Sequence, residues 1–554
     1  MSHNYLKCLH RALPAALLLA LFSSACSNSA PNDGGETESM SSAAETDGTT
    51  TDDGGSSTTS DGSASGSEST GGDATTGANS GTSSTGEPTT EPDSGNAGDA
   101  IPGYGGDADV CDADQSTTIE LNLPDSNAMV SPVQARMAVL DGWGVFGDLF
   151  IRPWEFLAYY PFDYPAAPPG ELAVKVELFA PKDQPEGSYE LQIGVTGPSM
   201  TAAERPPLDL TLVLDVSGSM KGVPVMLLKQ ACMALLGQLR AEDRVSIVTW
   251  TSEEPVLVAY HTVSGPLDPI LVDLIEHLEA TGGSDLYAGL SAGYGLAAEI
   301  YDTQRVSRVI LMSDGGAAAD TKALDLIAAH AADDGEKEGI HLVGVGVGTY
   351  GGYQPALMDS VAGVGGGPTL FIGSTDEATA TLGERFLGLM LVAARDLKVH
   401  VTLPPGFRRR LPEEFVYEDT QRENVGQPLR QNESLVYFER LASCDPDEVD
   451  EESPLKVQVE YLDTESFEAA EVVVETTFGE LQAKGVTQLH KGAAIVRYSE
   501  ALRLWNEAPG APDAYVSAAE AALGRASLAE LKLPQDASLA ELQAVLKALL
   551  ASLQ

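Results

Sequence analysis

The chain has 554 residues, of which 82 are acidic and 32 are basic, so its formal net charge at pH 7 is −50. A charge of this size repels nucleic acid and anionic lipid surfaces, which excludes both as direct partners. A divalent cation or a basic protein surface is compatible with it. Because 43% of the residues are hydrophobic, a chain of this length can supply the cores of two or three domains.

The first residues resemble an export signal. Lys7 and Arg11 precede an apolar run from Ala12 to Phe22, which is too short to span a bilayer and is typical of a signal-peptide core. The run leads into Ser23-Ser24-Ala25-Cys26, which resembles the lipobox of bacterial lipoproteins, with Ser23 where leucine is usual. The resemblance implies removal of residues 1–25 and lipid attachment at Cys26. An ordinary secretory signal cut near Ala25 is the alternative.

The residue after Cys26 is Ser27 and not the aspartate that retains lipoproteins at an inner membrane. We therefore expect a lipid-anchored protein of the bacterial outer membrane, facing the periplasm or the cell surface. Residues 26–106 are mostly Ser, Thr, Gly, Asp and Glu, and no Lys or Arg occurs between Arg11 and Arg136. Such a segment cannot bury enough surface to offset its ordering entropy, so we predict an acidic disordered tether. No later segment is apolar enough to span a membrane.

Three cysteines follow the tether. Cys232 lies in an apolar run with the spacing of a buried helix, so we expect a free thiol in the core. Cys111 and Cys444 are far apart in sequence, but exported proteins fold in an oxidising compartment. We expect these two cysteines to form a disulfide bond.

Residues 207–394 alternate apolar strands with amphipathic helices. This alternation predicts an α/β domain with a mostly parallel, doubly wound, Rossmann-like sheet that is covered on both faces. Ligands of such sheets bind at the carboxyl ends of the strands. The predicted strands are Leu208–Leu214, Arg244–Trp250, Pro255–His261, Ser307–Met312, Ile340–Val347 and Phe371–Ile372. The predicted helices are Val223–Leu239, Ile270–Leu278, Leu286–Ile300, Thr321–Ala332 and Glu384–Val392.

Hydroxyl and carboxylate side chains follow the strands of this domain in three loops. The first loop contains Asp215, Ser217 and Ser219, the second is Gly282-Gly283-Ser284-Asp285, and the third contains Asp314. Because these loops meet at one sheet edge, their oxygens can share one ion. Hard oxygen ligands suit Mg²⁺, Mn²⁺ or Ca²⁺ and not zinc or copper.

The order of these loops resembles the von Willebrand factor type A family. Asp215-Val216-Ser217-Gly218-Ser219 is similar to the family's DxSxS motif, and Asp314 matches its later aspartate. The family's middle ligand is a threonine after two glycines, and Ser284 takes that place, with Asp285 as the alternative. The resemblance implies a metal-ion-dependent adhesion site in which Asp215, Ser217, Ser219, Ser284 and Asp314 hold a divalent cation. Mg²⁺ is the first choice, with Mn²⁺ or Ca²⁺ as alternatives. The same fold with a site that no longer binds metal is the other interpretation.

The flanking regions have a different pattern. Segments within 107–206 and 395–480 alternate apolar and polar residues, which predicts an antiparallel β-sandwich built from both regions. The aromatic run at 151–165 and Pro206-Pro207 resemble the N-terminal segment of a bacterial lipoprotein subfamily that carries this domain, although the loop Gly316-Ala317-Ala318-Ala319 departs from it. Residues 481–554 are predicted to be helical. The apolar stripe of the last helix predicts packing against the body, with a partner-binding groove as the alternative.

Binding is a better prediction than catalysis. Ser217 and Ser219 could suggest a hydrolase, but a nucleophilic serine needs a positioned base. The histidines include His261, His277, His330, His341 and His400, and none of them lies in a recognisable triad motif. We therefore expect an extracytoplasmic binding protein that captures a protein partner offering an acidic residue to the metal. A metal-independent scaffold of the cell envelope is the alternative.

Overall fold

The fold is that of a computed structural model, which describes residues 116–121, 128–142, 151–182, 184–250, 255–332, 337–349, 352–410, 426–445, 449–508 and 510–552. The predicted signal peptide, the lipid-attachment residue Cys26 and the tether lie outside the described residues, as does Cys111. All of the described residues belong to one compact unit, which spans residues 94–554. No helix among them combines the length and the apolar character needed to cross a membrane.

The strands of the described residues are, in chain order, β1 (Thr117–Leu121), β2 (Ala128–Met129), β3 (Ala173–Phe179), β4 (Ser188–Thr196), β5 (Leu208–Asp215), β6 (Arg244–Trp250), β7 (Val256–Thr262), β8 (Val306–Ser313), β9 (His341–Val347), β10 (Gly366–Ile372), β11 (Val392–Leu403), β12 (Phe407–Arg409), β13 (Gln427–Arg430), β14 (Ser434–Ser443), β15 (Pro454–Leu462) and β16 (Ala469–Thr477).

The helices are α1 (Ser131–Leu140), α2 (Pro153–Tyr159), α3 (Val223–Leu236), α4 (Pro269–Glu276), α5 (Leu286–Glu299), α6 (Thr321–Ala331), α7 (Pro355–Gly365), α8 (Thr375–Ala378), α9 (Phe386–Met390), α10 (Phe478–Gln482), α11 (Thr487–Glu507), α12 (Pro512–Glu530) and α13 (Ala537–Ala551). A π-helical turn (Thr379–Glu384) joins α8 to α9.

The central sheet has the strand order β2-β10-β9-β8-β5-β6-β7. Its strands pair in parallel except β6 and β7, which form an antiparallel pair. Every residue of β5 is buried, because alternate side chains enter opposite faces. Leu212 packs in the cluster that contains Leu227 of α3, and Val213 packs in the cluster that contains Leu290 of α5. The predicted doubly wound α/β fold is confirmed.

The N-terminal region contributes more than the predicted β structure. It supplies the edge strand β2, which pairs with β10, and the helices α1 and α2. Phe156 and Tyr160, from the aromatic run, pack against Tyr498 of α11 with ring centroids 5.4 and 6.5 Å apart. The aromatic run therefore joins the N-terminal region to the C-terminal helices.

The predicted β-sandwich is confirmed. One sheet has the order β1-β11-β15-β16, with β13 also paired to β11, and the other has the order β12-β14-β4-β3. The strands β1, β3 and β4 precede the central domain in the chain, whereas the other strands follow it. The shared core contains Leu191 and Ile193 of β4 and Val399 and Val401 of β11.

The C-terminal helical region is also confirmed, as α10 to α13. The apolar stripe of α13 packs inward, as the sequence predicted. Its members are fully buried among residues of α1, α2, α11 and α12, and they are Leu539, Leu542, Val545, Leu546 and Leu549.

Glu338 connects the central sheet to the β-sandwich. Its Oε1 atom lies 2.7 Å from Arg308 Nη2 on β8 and 2.9 Å from Arg395 Nη2 on β11. Burial by itself would raise the pKa of this carboxyl group. The positive charges of Arg308, Arg395 and His341 outweigh that effect and lower the pKa to about 2.

Acid should therefore weaken the fold through Glu338. Because the pKa in the folded chain lies below that in the unfolded chain, ionised Glu338 stabilises the fold at neutral pH, and this stabilisation disappears as the pH falls toward 2. We expect Glu338→Gln to lower the free energy of unfolding by about 2 kcal/mol at neutral pH and by much less near pH 2. Urea unfolding across a pH series measures this difference. An equal cost at every pH would contradict the prediction.

Candidate metal site

Asp215 ends β5 at the point where the connections of the central sheet change direction. From β5 the chain runs to β6 and β7 on one side and then returns to β8 on the other side. The Asp215 side chain is held in place from both sides. Its Oδ1 atom accepts a hydrogen bond from the Ser217 backbone N–H at 2.9 Å, and its Oδ2 atom accepts one from Ser313 Oγ at 2.6 Å. The residue is 1% exposed, so its carboxylate is fixed beside the switch point, where ligands of such sheets bind.

Ser217 and Ser219 bring two hydroxyl groups to the same place. Ser217 has an extended backbone, and a short 3₁₀ turn (Gly218–Met220) follows it. The two Oγ atoms lie 3.0 Å apart. Two neutral oxygens at this separation can both face one ion.

Asp314 follows β8 and lies against the first loop. Its Oδ1 atom accepts a hydrogen bond from the Gly316 backbone N–H at 2.9 Å. A Cβ atom added at Gly316 would lie 3.0 Å from Asp314 Oδ1 and 3.2 Å from Ser219 Oγ. These two oxygens therefore flank the same glycine, which brings the first and third predicted loops together.

The second predicted loop is attached to the first through the backbone. The Thr281 N–H donates to the carbonyl oxygen of Val216 at 2.8 Å. Asp285, the last residue of this second loop, caps α5, because its Oδ1 atom accepts a hydrogen bond from the Ala288 N–H at 2.9 Å. Ser284 is exposed. The Asp285 Oδ1 atom is engaged in the cap, and the choice between Ser284 and Asp285 as the ligand from this loop stays a prediction.

The charges of the site suit a cation. Burial raises the pKa of Asp215, the hydrogen bonds from Ser313 and Ser217 oppose this effect, and the negative charge of Asp314 adds to it. Within the described part of the chain, neither Asp215 nor Asp314 forms an ion pair with a basic side chain. No group of three or more His, Cys, Asp or Glu residues there could hold a metal ion. A cation at this site would therefore rest on two carboxylates and on serine hydroxyl groups, which are the hard ligands that Mg²⁺ and Ca²⁺ prefer.

Ser313 is a site residue that the sequence prediction missed. It is fully buried, its Oγ atom donates to Asp215, and the same oxygen accepts a hydrogen bond from the Gly315 N–H at 3.0 Å. As the last residue of an apolar strand it resembles an ordinary strand end. Its place directly before Asp314, beside the parallel strand that carries Asp215, is the signal that could have identified it.

Gly315 has a backbone that other residues adopt only with strain. Its φ is +81°, and a Cβ atom added there would lie 2.1 Å from the carbonyl oxygen of Gln354. We expect Gly315→Ala to lower the free energy of unfolding by about 2–4 kcal/mol, because the backbone strain and the collision add. Urea unfolding measures this cost. Gly283→Ala is the matched control, since an added Cβ meets nothing within 4 Å there, and a similar loss in the control would contradict the explanation.

The predicted disulfide bond involves one residue that the structure describes. Cys444 is disulfide-bonded, and its backbone N–H donates to the carbonyl oxygen of Gly406 at 2.7 Å. Cys111 lies outside the described residues, so the pairing of these two cysteines stays a prediction. Cys232 is a free thiol buried in the core, as predicted, and burial raises its pKa to about 12.

Residues 208–371 match the sequence family of the von Willebrand factor type A domain. This match confirms the von Willebrand factor type A domain that the Asp215 motif indicated. Among curated proteins, the chain is similar to the uncharacterized protein YfbK of Escherichia coli (strain K12), with 26% identity over 269 residues. The match covers 46% of this chain and 45% of YfbK. The chain thus spans less than half the length of that relative.

Two solved structures are also similar to the chain. One is a von Willebrand factor type A protein from Catenulispora acidiphila, with 14% sequence identity and a TM-score of 0.42; the match covers 70% of this chain and 96% of that one. The other is the manganese-loaded TRAP protein of Plasmodium vivax, with 14% identity and a TM-score of 0.27; this match covers 53% of this chain and 98% of that protein.

Proposed function

Because the chain contains a von Willebrand factor type A domain at residues 208–371, we propose that it is a binding protein that captures a protein partner through a divalent cation at the Asp215 site. One observation carries the proposal. Two buried carboxylates, Asp215 and Asp314, lie with the hydroxyl groups of Ser217 and Ser219 at the switch point of the sheet, and no basic side chain of the described residues neutralises them.

The proposed ion is Mg²⁺, with Mn²⁺ or Ca²⁺ as alternatives, and its ligands would be Asp215, Ser217, Ser219, Ser284 and Asp314. The two carboxylates carry no more negative charge than the divalent cation carries positive charge, and the remaining ligands are neutral hydroxyl groups, so the ion can still take an anionic oxygen as a further ligand. When bound, the ion would supply a Lewis-acidic centre that attracts an anionic oxygen of a partner. An acidic side chain of a protein is the proposed source of that oxygen.

The proposal assigns binding and not catalysis to this site. Its serines lie in a hydroxyl–carboxylate network, in which Ser217 Oγ contacts Ser219 Oγ and the Ser217 backbone contacts Asp215. In the proposal, the hydroxyl groups of Ser217 and Ser219 and the carboxylate of Asp215 are all ligands of the cation. Isothermal titration of the purified chain with Mg²⁺, Mn²⁺ and Ca²⁺ tests whether the site binds an ion. Absence of binding by all three ions would contradict the proposed ion site in the free protein.

Partner capture requires a second test, which separates the proposed function from a metal-independent scaffold of the cell envelope. Proteins retained by the immobilised chain are compared in the presence of Mg²⁺ and of a chelator, and again with an Asp215→Ala chain. Capture that depends on Mg²⁺ and on Asp215 is the expected result. Capture that persists with the chelator and in the variant would favour the scaffold.

We also propose that the protein is anchored by a lipid at Cys26 to the bacterial outer membrane, facing the periplasm or the cell surface. The support is the sequence Ser23-Ser24-Ala25-Cys26 after the apolar run and the acidic, lysine-free segment that follows it. Labelling of growing cells with a radioactive fatty acid should mark the chain, and Cys26→Ser should abolish the label. Equal labelling of the variant would refute attachment at Cys26.

A further inference from the structure

A cleft of about 270 Å³ opens beside the candidate metal site. Val216, which follows Asp215 in the chain, lines the cleft. Thr249, which also lines it, pairs with Leu214 in the central sheet. Val216 lies between Asp215 and Ser217 in the chain, and its carbonyl oxygen accepts a hydrogen bond from the Thr281 N–H at 2.8 Å, so the cleft adjoins the first and second loops of the site. A partner segment bound at the site would therefore lie within reach of the cleft.

The walls of the cleft are apolar, and its rim is acidic. Leu257 of β7 and Leu274 of α4 form part of the wall, and Leu257 is 39% exposed. Asp273 and Glu279, also among the lining residues, are both exposed. His277 also lines the cleft, and its Nδ1 atom lies 3.4 Å from Asp273 Oδ1. The cleft can thus receive an apolar side chain while two carboxylates face what lies above it.

The size of the cleft argues for one side chain of a protein partner and not for a whole small molecule. Small-molecule sites span roughly 300–1,000 Å³ and enclose most of their ligand, whereas this cleft is smaller and open to solvent. Its acidic rim favours a basic group by charge complementarity.

Exposed apolar side chains occur around the same end of the domain. Val223 is 43% exposed and Met226 is 48% exposed, and both lie in the first turn of α3 directly after the Ser217 loop. Tyr287 is 42% exposed at the second residue of α5, three residues after Ser284. Large apolar side chains that are exposed together mark protein-binding surfaces.

From these observations we infer that the partner is a protein segment of three adjoining features: an acidic residue for the ion, an apolar residue that fills the cleft, and a lysine or arginine that faces Asp273 and Glu279. The inference rests on the proposed function, because the acidic residue is placed by the ion. It adds the chemistry by which one acidic segment is preferred over another.

Selection from a displayed library of random heptapeptides tests the inference. The full-length chain is used with Mg²⁺ and, in parallel, with a chelator. We expect sequences that depend on Mg²⁺ to carry an acidic residue with an apolar and a basic residue beside it. The tightest selected peptide then serves as the probe in affinity measurements with variants of the chain.

Two changes in the cleft should alter affinity for that peptide. Leu274→Asp should weaken it by about tenfold, the value expected when burial of one apolar side chain is lost. The double change Asp273→Lys with Glu279→Lys should weaken it about fivefold or more at low salt and should shift the selection toward a second acidic residue. Matched controls are Leu531→Asp and Glu475→Lys, which change an exposed leucine directly after α12 and an exposed glutamate of β16.

The outcomes separate the inference from the proposed function. Selection that depends on Mg²⁺ but has no preference beside the acidic residue would overturn the inference and leave the proposed function intact. Absence of any selection that depends on Mg²⁺ would overturn both. Leu274→Asp is interpreted only with its thermal midpoint and Mg²⁺ affinity unchanged; if it is unfolded, Leu257→Asp on the exposed strand β7 replaces it.

Discussion

Asp215→Ala should abolish divalent-cation binding, with a loss of affinity of more than about 100-fold. Asp215 is 1% exposed, and its carboxylate is aligned by the Ser217 N–H and by Ser313 Oγ. The substitution removes one of the two carboxylates that are proposed to bind the ion, and with it half of the negative charge of the ligands. Isothermal titration with Mg²⁺ measures the effect directly.

A thermal shift gives a second measurement of the same prediction. An ion that binds only the folded chain raises the thermal midpoint, so the difference between the midpoints with Mg²⁺ and with a chelator should vanish in the variant. Asp285→Ala is the matched control. It also removes a carboxylate, but that carboxylate caps α5, so the change should cost about 0.5–2 kcal/mol of stability and leave Mg²⁺ affinity nearly unchanged. If Asp285→Ala abolished binding and Asp215→Ala did not, the assignment of ligands would be wrong.

Arg205→Ala should cause the largest loss of stability, about 3–5 kcal/mol in the free energy of unfolding. Arg205 and Asp243 form a buried pair, with side chains 1% and 0% exposed. Their contacts are bidentate, at 2.9 and 2.5 Å. Asp243 also accepts a hydrogen bond from the Leu208 N–H, where β5 begins. Removal of Arg205 leaves a buried carboxylate without its cation at the start of the strand that carries Asp215.

Urea unfolding of Arg205→Ala measures this loss, and Arg244→Ala is its control. Arg244 pairs with Asp209, but Asp209 keeps a second partner, because Arg305 Nε lies 2.8 Å from its Oδ1 atom. The Arg244 side chain is also 28% exposed, so its removal should cost about 1 kcal/mol or less. Similar losses in the two variants would show that burial of the pair is not the cause.

The strands and helices of the central domain were largely predictable from sequence. Strands such as β5 and β8 are buried along their whole length and are rich in apolar residues because both faces of the sheet are covered, and this signal is local. The helix α7 was missed. Its sequence ends in Gly363, Gly365 and further glycines that are typical of a loop, whereas burial of Leu357 and Met358 against the central sheet stabilises the helix.

The strand β16 was also missed. Its valines 472, 473 and 474 are adjacent, and two of them are half-buried while Val473 is exposed, so the run does not have a clean alternation. Hydrogen bonding to β15 along nine residue pairs forms the strand. The two strands form a hairpin with residues 463–468 between them, so the partner strand, and not an alternation within residues 469–477, defines β16.

The sequence by itself determined the class of the central domain and predicted the residues of its candidate site, because a strand followed by Asp215-Val216-Ser217-Gly218-Ser219 is a local pattern. Only the tertiary structure decided which oxygens are available there. It placed Ser313 against Asp215 across neighbouring parallel strands, and it engaged Asp285 in the cap of α5. It also packed the aromatic run of the N-terminal region against α11, more than 300 residues later in the chain. Contacts of this kind depend on sheet order and packing between distant segments, which residue periodicity does not encode.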